Sequence, residues 1–236
     1  NNTLRRGHRG RVELIVEFKG RSAHASIPHL AVNPHYGAAM FLQQLDSLSM
    51  AHDETLGYST VVPTLYHTDQ FSPNVIPETI QLTLDWRNVP AELSDEIIIK
   101  VENLLSECLP RVHQPDVIQG RVFVNRNEFT TYTGMVEVFP SIFPSFILPE
   151  NDLLVQTAHQ GLVGALQRDV AIDIWRFATD GGHLMSAGIP TLGFGPGDDQ
   201  LAHTNQERIS LAQMEEALVG YLSLMLTLAD ALETKR

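Results

Sequence analysis

The sequence predicts two regions of different architecture: an α+β sandwich with the element order β-α-β-β-α-β, followed by part of an α/β domain. Alternation of apolar and polar residues over Arg11–Lys19 and Thr79–Arg87 predicts two half-buried strands. Apolar residues at helical spacing over residues 34–48 and after Ser94 predict two helices that pack on those strands. From Thr130 onward, helical patterns alternate with short apolar runs, which is typical of an α/β layer.

The remaining elements of the first region complete a recognisable order. A β-branched run over residues 59–66 predicts a strand that forms a hairpin with Thr79–Arg87. Ser94 is predicted to cap the second helix, and residues 117–124 to form the last strand. This order resembles the ferredoxin-like split βαβ sandwich, and we assign it to residues 11–126.

The second region contains fewer strands than a complete α/β sheet. Its predicted elements are a helix over residues 151–168, strands over residues 170–175 and 190–194, and a last helix that opens with a capping box at Ser210. The residues predicted on the apolar face of that last helix are Met214, Leu218, Tyr221, Met225, Leu228 and Leu232. Such sheets usually have about five or six strands. We therefore expect residues 1–10 and 127–236 to form a hinge and the C-terminal portion of an α/β domain whose first half is absent.

Composition excludes several classes of partner. The chain has 236 residues, 43% of them hydrophobic, with 16 Lys and Arg against 28 Asp and Glu. The resulting net charge of −12 repels nucleic-acid phosphates and anionic membrane surfaces, so neither is an expected partner. No apolar run approaches the roughly 20 residues that cross a bilayer. The single cysteine, Cys108, cannot form a disulfide framework, and we expect a cytoplasmic protein.

Two histidines, His24 and His203, are candidate site residues because each is close to small residues in the sequence. His24 lies in the segment Gly-Arg-Ser-Ala-His-Ala-Ser-Ile-Pro, where its ring has room to donate a hydrogen bond to a developing oxyanion. His203 follows a glycine-rich turn, Gly193 to Gly197, at the end of a predicted strand, where open α/β sheets bind ligands. Taken singly, each is more often an ordinary surface histidine than a ligand-binding one.

A third candidate is the turn Thr-Asp-Gly-Gly at residues 179–182. The sequence leaves three roles open for Asp180: a metal ligand, an acid that supports a ligand, or a helix cap. The cap is the commonest role of an aspartate in such a position.

Four motifs, in this order, resemble the co-catalytic zinc exopeptidases and deacylases. The motifs are residues 20–28 with Asn33 after them, Asn-Val-Ile-Pro at 74–77 before a strand that ends in Asp-Trp-Arg at 85–87, Thr-Asp-Gly-Gly at 179–182, and Gly-Pro-Gly-Asp at 195–198 followed by Ala-His at 202–203. The family includes acetylornithine deacetylase, succinyl-diaminopimelate desuccinylase, carboxypeptidase G and aminoacylase. The resemblance implies a ferredoxin-like lid, which mediates dimerisation, inserted in an α/β catalytic domain.

The resemblance also implies an activity and a set of site residues. It implies a metal-dependent hydrolase of amide bonds in N-acyl amino acids or small peptides, a homodimer formed through the lid, and two zinc ions, or cobalt or manganese, that activate a water. It implies that His203 is a metal ligand and that His24 is a catalytic residue that reaches a partner subunit's active site. The implied substrate-binding residues are Asn74, Arg87, Ala178, Thr179, Asp180, Gly181 and Gly182.

The resemblance is incomplete. In that family the first half of the catalytic domain supplies a His-x-Asp ligand pair, a bridging Asp and a Glu-Glu pair, and this sequence does not offer them at the corresponding places. We therefore expect a C-terminal fragment that is inactive alone and holds no tightly bound zinc, because a zinc site needs three or four protein ligands. The alternative is a non-catalytic dimerisation or small-ligand-binding module.

Overall fold

The computed structural model describes residues 2–114 and 116–233 of the chain. The strands are β1 Leu4–His8, β2 Arg11–Lys19, β3 Ala23–His24, β4 His52–Asp53, β5 Gly57–Tyr58, β6 Thr60–Thr68, β7 Val75–Ile76, β8 Thr79–Arg87, β9 Gln119–Val124, β10 Arg126–Thr130, β11 Val136–Pro140, β12 Ile142–Phe143, β13 Phe146–Ile147 and β14 Ile172–Trp175. The helices are α1 Pro34–Gln44, α2 Ser94–Cys108, α3 Leu153–Leu166, α4 Gly181–Ser186 and α5 Leu211–Glu233. None of the helices in these ranges is long and apolar enough to cross a membrane.

The chain divides into two units. The central unit is Gly10–Phe143, and the flanking unit combines Asn1–Arg9 with Pro144–Arg236. The sequence places the end of the first region at residue 126. In the structure residues 127–143 group with the central unit, because β12 at their end pairs with β2.

An antiparallel sheet with the strand order β9-β2-β8-β6 forms the main layer of the central unit. The predicted alternation in β2 and β8 is confirmed: Leu14 pairs with Leu84, and both are fully buried. Helices α1 and α2 cover this apolar face with residues such as Phe41 and Val101. The rings of Phe18 and Phe41 meet edge to face, with centroids 5.8 Å apart. The central unit is therefore an α+β sandwich with its own core.

Several predicted boundaries in the central unit differ from the structure. The first helix ends at Gln44 and continues as a 3-10 turn, Leu45–Ser47, rather than running to residue 48. Ser94 is the first helical residue and not the cap; the position before it is taken by Leu93, whose N–H donates to the Glu96 carboxylate at 3.2 Å. The predicted strands 59–66 and 117–124 are Thr60–Thr68 and Gln119–Val124.

The longest elements of the central unit that were not predicted are two exposed strands. Strands β10 and β11 form a hairpin from Arg126–Thr130 and Val136–Pro140, across the predicted end of the first region at residue 126. Every residue of both strands is exposed. Because neither face of the hairpin is buried, the alternation is confined to Val136–Val138 in one strand and is too short to mark a pair of strands.

The flanking unit is built around a three-stranded sheet with the order β13-β1-β14. Strand β1 runs parallel to β14 and antiparallel to β13. Helix α3 packs Val155, Ala158 and Leu162 near Leu4 of β1. Asp152 caps α3 by accepting the Leu154 N–H at 2.8 Å. The predicted parallel pairing is therefore present, although β1 lies in a segment expected to be only a hinge.

Three further predictions in this unit need correction. Helix 151–168 is Leu153–Leu166, and strand 170–175 is Ile172–Trp175. Residues 190–194 do not form a strand; Gly193 alone exchanges two backbone hydrogen bonds with Arg5, at 2.7 and 2.8 Å. The proline at 190 has no N–H to donate, which limits strand pairing in this segment.

The apolar face of α5 also differs from the prediction. Met214, Leu218 and Met225, expected to face inward, are 46%, 62% and 66% exposed. Helix α5 contacts the flanking core through Leu228, as predicted, and through Leu224, which the prediction did not include. Tyr221 is 39% exposed, and the side chain of Leu232 lies outside the part of the chain that the structure describes. The helix is apolar around most of its circumference, so periodicity did not single out the contacting face.

Candidate functional site

His24 and Asn74, which are 50 residues apart, lie together in the central unit. The short strands β3 and β7 pair antiparallel, with His24 opposite Val75. The Ala25 N–H donates to the Asn74 carbonyl at 2.8 Å, which fixes the two segments side by side. As a result, Asn74 Nδ2 lies 3.5 Å from His24 Nε2. The expected loop around His24 is therefore anchored by a two-residue strand, and two of the predicted site residues are adjacent.

The surroundings of His24 determine which ring nitrogen carries the proton. The Ser26 N–H points at Nδ1 from 3.1 Å, and Ser26 Oγ lies 2.8 Å from the same nitrogen. A backbone amide only donates, so Nδ1 of the neutral ring must accept and the proton resides on Nε2. The Nε2–H is on the side of the exposed ring that faces Asn74, whose Nδ2 is also a donor, so the two groups do not hydrogen-bond to each other and both can donate to a ligand. His24 is thus prepared as a hydrogen-bond donor at that position.

Arg87 lies away from this pair. It is the last residue of β8, about 26 Å along the strand from Thr79 at a rise of roughly 3.3 Å per residue. Its guanidinium binds Asp85 through two nitrogens, at 2.5 and 3.1 Å, and Arg11 donates to the same carboxylate at 2.7 Å. Burial alone would raise the pKa of Asp85, but the hydrogen bonds from Arg11 and Arg87 hold that pKa below its usual value. The structure therefore shows Arg87 in an ion pair.

In the flanking unit, the turn at residues 178–182 runs directly into helix α4, which begins at Gly181 where the sequence predicted a continuing loop. The Gly181 N–H donates to Thr179 Oγ1 at 3.1 Å. A side chain at Gly182 would place its Cβ only 2.0 Å from the Pro144 carbonyl oxygen, so this position requires glycine. Asp180 precedes α4 and is exposed, but its side chain makes no capping hydrogen bond. Asp180 therefore occupies the N-cap position of α4, as the cap interpretation predicts, but not with a capping side chain.

Sequence reasoning overlooked one residue behind this turn. His8 of β1 is completely buried, with its ring centroid 4.8 Å from that of Phe146 and 5.9 Å from that of Trp175. Its Nε2 lies 3.2 Å from the Thr179 nitrogen and 3.0 Å from Thr179 Oγ1. Burial lowers the pKa of His8, which keeps the ring neutral. The signal in the sequence is weak, because the apolar residues that bury His8 come from distant segments.

His203 adopts an unusual backbone conformation after the glycine-rich turn. Its φ of +64° lies in the left-handed region, which residues other than glycine rarely adopt. The His203 N–H donates to Glu207 at 3.1 Å, and the His203 side chain is exposed. Earlier in the turn, a Cβ at Gly193 would lie 1.8 Å from the Trp175 ring, so Trp175 packs directly on the backbone there.

Two open cavities in the flanking unit share Trp175 and Phe194 in their walls. One, of about 520 Å³, includes the Thr179–Gly181 turn; the other, of about 560 Å³, includes Gly195 and Glu207. The predicted turn and the glycine-rich segment therefore flank the same two aromatic side chains. This arrangement offers concave surface beside the predicted residues, and small-molecule sites are concave.

The described residues do not fit the two zinc ions that the resemblance implies. Within residues 2–114 and 116–233, no group of three or more His, Cys, Asp or Glu side chains could hold a metal ion. A zinc site normally uses three or four such ligands. His203 is therefore at most one ligand of a site to which other protein groups contribute.

Comparison with known proteins identifies the central unit. Residues 6–113 match the family model described as the peptidase dimerisation domain, M20_dimer. This match confirms the family resemblance predicted from the motifs: residues 6–113, which are fewer than half of the 236 residues, resemble a peptidase dimerisation domain. The match covers His24, Asn74 and Arg87 but not the turn at 178–182 or His203.

Relatives cover more of the chain. The Escherichia coli K12 protein YgeY is 25% identical over 225 residues, which are 94% of this chain and 54% of YgeY. The N-formyl-4-amino-5-aminomethyl-2-methylpyrimidine deformylase of Halalkalibacterium halodurans is 31% identical over 179 residues, 72% of this chain and 38% of the deformylase. The chain spans about half the length of the first of these relatives and less of the second.

A solved structure supports the same fold. Aminopeptidase PepT from Bacillus cereus superposes with a TM-score of 0.69 over 97% of this chain and 55% of PepT, at 15% sequence identity. At that identity the similarity shows the fold alone. The superposition nevertheless extends over both units, beyond the segment that the family model matches.

Proposed function

We propose that this chain supplies the dimerisation lid and the C-terminal catalytic portion of a metal-dependent hydrolase of amide bonds in N-acyl amino acids or small peptides. The observation that carries the proposal is the His24–Asn74 pair in a peptidase dimerisation domain, with a donor nitrogen, Nε2, fixed at its exposed end. The deformylase, a relative whose name describes removal of an N-formyl group, supports an N-acyl substrate. The strand order β9-β2-β8-β6 supports a ferredoxin-like lid.

His24 then acts on the reacting amide. When an amide carbonyl is attacked, negative charge develops on its oxygen, and a donor placed there lowers the barrier. The Nε2–H of His24 is such a donor, because Ser26 holds the proton off Nδ1. The Asn74 side chain lies next to the donor and can bind the substrate's amide or carboxylate groups. His24 reaches the active site of a second copy of the chain.

Arg87 needs a rearrangement to take its proposed role. A guanidinium can grip a substrate carboxylate through two parallel hydrogen bonds, but here that fork grips Asp85. Arg11 also binds Asp85 and can stabilise the carboxylate when Arg87 turns away. We therefore propose that substrate competes with Asp85 for Arg87.

The residues of the flanking unit line the other side of the substrate in this proposal. The backbone and side chains of Ala178, Thr179, Asp180, Gly181 and Gly182 contact the substrate, and His203 is one metal ligand. Zinc supplies a polarised, readily deprotonated water when it is bound. This chain alone binds zinc weakly, since the described residues assemble no cluster of three ligands. The single, buried Cys108 is consistent with a cytoplasmic enzyme.

A second copy of the chain is the proposed partner. Strand β6 is the last strand of the main sheet, and it exposes Val62, Leu65 and Tyr66. An exposed sheet edge with apolar side chains is a pairing surface, and two-fold pairing closes without forming fibres. Sedimentation at tens of micromolar should give a dimer. Val62→Lys should shift it to monomer, whereas Val138→Lys, at an equally exposed valine of the hairpin, should not.

A complementation experiment tests the catalytic proposal in an enzyme that joins this sequence to the metal-binding segment of its family. His24→Ala should lower the turnover number by about 100- to 1,000-fold with unchanged zinc content, as loss of an oxyanion donor does. His203→Ala should remove zinc together with activity. Mixed dimers of the two variants contain one intact composite site, so subunit exchange should restore activity. Failure of exchanged dimers to regain activity would show that His24 does not act across the interface.

The absence of an assembled metal cluster among the described residues favours one other candidate, a non-catalytic dimerisation or small-ligand-binding module. Isothermal titration of this chain with zinc, beside His203→Ala as control, separates the two. We expect weak binding that His203→Ala abolishes if His203 is a ligand. Weak binding that is identical in both proteins favours the module, and a tight stoichiometric site contradicts our account of the metal.

A further inference from the structure

We propose that His8 is a positioning residue that fixes the turn at residues 178–182 through Thr179. The substrate-lining role of this turn rests on the function proposed above, whereas the part played by His8 rests on the geometry of the flanking unit. His8 and Thr179 are 171 residues apart in the sequence. Their contact joins strand β1 to the segment between β14 and α4.

Each ring nitrogen of His8 faces a group of fixed polarity. Nδ1 lies 2.9 Å from the Arg9 carbonyl oxygen, which can only accept, so Nδ1 must carry a proton. Nε2 lies 3.2 Å from the Thr179 backbone nitrogen, which can only donate, so Nε2 must present its lone pair. One protonation state satisfies both contacts: the neutral ring with its proton on Nδ1. The low pKa that burial gives His8 agrees with this state.

The contact with Nε2 extends into the turn. The Thr179 hydroxyl lies 3.0 Å from Nε2 and accepts the Gly181 N–H at 3.1 Å, so it can donate to His8 while accepting from Gly181. The His8 ring also lies 3.4 Å from the place where a Gly182 Cβ would be. His8 is therefore within hydrogen-bond distance of the first residue of the Thr-Asp-Gly-Gly segment and lies close to the last.

The rigid ring explains why a histidine suits this position. Phe146 packs edge to face on the ring and Trp175 lies on another side, so the ring cannot turn without disturbing both. A ring held this way keeps an acceptor at a fixed point for the Thr179 N–H. A leucine of similar size would fill the space but would leave that partly buried N–H without its partner, and an unmade hydrogen bond at a donor shielded from water is costly.

The first test uses the unmodified chain. In an NMR correlation of ring nitrogens with ring carbon-bound protons near pH 7, His8 should show the Nδ1–H form, and His24 should show the Nε2–H form. The two histidines are therefore internal controls for one another. A His8 ring that is cationic, or that carries its proton on Nε2, would overturn the proposal.

The second test compares two variants of the full chain. His8→Gln keeps an acceptor near the position of Nε2, whereas His8→Leu removes it. We expect the Thr179 and Gly181 amides of His8→Leu to exchange with solvent roughly tenfold faster than in the unmodified chain, as loss of a hydrogen bond predicts. His8→Gln should recover most of that protection.

The amide of Leu162, in the core of α3, reports general destabilisation. If Leu162 exchanges faster by the same factor as Thr179, or if His8→Leu leaves Thr179 protected, His8 only fills space and the proposal is wrong. These readouts need neither metal nor substrate. A failure of the proposed hydrolase function would therefore leave the result for His8 intact, and a failure of the His8 contact would leave the hydrolase function to be judged by its own experiment.

Discussion

The two units differ in how completely their own residues cover apolar surface. In the central unit, β2, β8, α1 and α2 together bury a large core in which Phe18, Phe41 and Trp86 are fully inaccessible. In the flanking unit the buried cluster is small, and α5 leaves Leu218 and Leu226 62% and 69% exposed. Burial of apolar surface is the main favourable term in folding. The central unit thus has the larger stabilising core, and we expect it to unfold after the flanking unit.

The chain contains a means of measuring this difference. Its two tryptophans are Trp86 in the central unit and Trp175 in the flanking unit. Trp175→Phe leaves fluorescence that reports on the central unit, and Trp86→Phe leaves fluorescence that reports on the flanking unit. In urea unfolding of the two single-tryptophan proteins, the transition reported by Trp86 should have its midpoint at a higher urea concentration than the transition reported by Trp175. Coincident transitions would show that the units unfold together and would contradict the expected difference in their stability.

Phe18→Ala should have the largest effect. Phe18 is fully buried against Phe41, and replacing such a side chain by alanine costs about 3–5 kcal/mol in free energy of unfolding. The loss should fall on the transition reported by Trp86. An equal shift of the transition reported by Trp175 would mean that the stability of the flanking unit depends on the central core.

Gly193→Ala should have the next largest effect, in the flanking unit. The added Cβ would lie 1.8 Å from the Trp175 ring, and such overpacking typically costs about 1–3 kcal/mol. Gly164→Ala is the matched control, because a Cβ there meets nothing within 4 Å and alanine stabilises a helix relative to glycine by about 0.5–1 kcal/mol. The Trp175 transition should move in opposite directions for the two variants; movement in the same direction contradicts the packing of Trp175 on Gly193.

Acidification should weaken the flanking unit through His8, with a smaller effect. Burial lowers the pKa of His8 from its ordinary value of 6.5, so below that pH the unfolded chain binds a proton that the folded chain does not. Stability is therefore fully present above pH 6.5 and is lost as the pH falls through the folded pKa. The urea midpoint of the transition reported by Trp175 should depend less on pH between 7 and 5 in His8→Gln than in the protein that keeps His8. An unchanged pH dependence would show that His8 does not titrate differently on folding.

Glu216→Gln should have the smallest effect. Hydrogen bonds from Arg168 and Asn2 lower the pKa of Glu216 to about 2, so its contribution persists at neutral pH and is lost as the pH falls from 4.5 towards 2. The pair is partly exposed, and such ion pairs contribute roughly 0.2–1 kcal/mol. Glu215→Gln, one residue earlier, serves as control. Urea titrations at low and high salt should show the Glu216→Gln difference shrinking in salt; a salt-independent difference would argue against an ion pair.

Sequence patterns predicted the central unit better than the flanking unit for a physical reason. Strands β2 and β8 each have one buried and one polar face, so alternation marks them to the residue. Strand β1 and the hairpin β10–β11 carry no such contrast, and neither was predicted. In α5 the apolar residues surround most of the helix, so the sequence could not indicate which of them contact the flanking core.

The sequence by itself determined the α+β class of the central unit, the family and the identity of most candidate residues, because these depend on local periodicity and on short motifs. Tertiary structure alone decided which contacts those residues make. Asn74 lies next to His24, and Arg87 forms an ion pair with Asp85. Thr179 hydrogen-bonds to His8, which is 171 residues away in the sequence. The proton of His24 lies on Nε2 and that of His8 on Nδ1 because each ring faces groups of fixed polarity, and in His8 those groups include one from a distant segment.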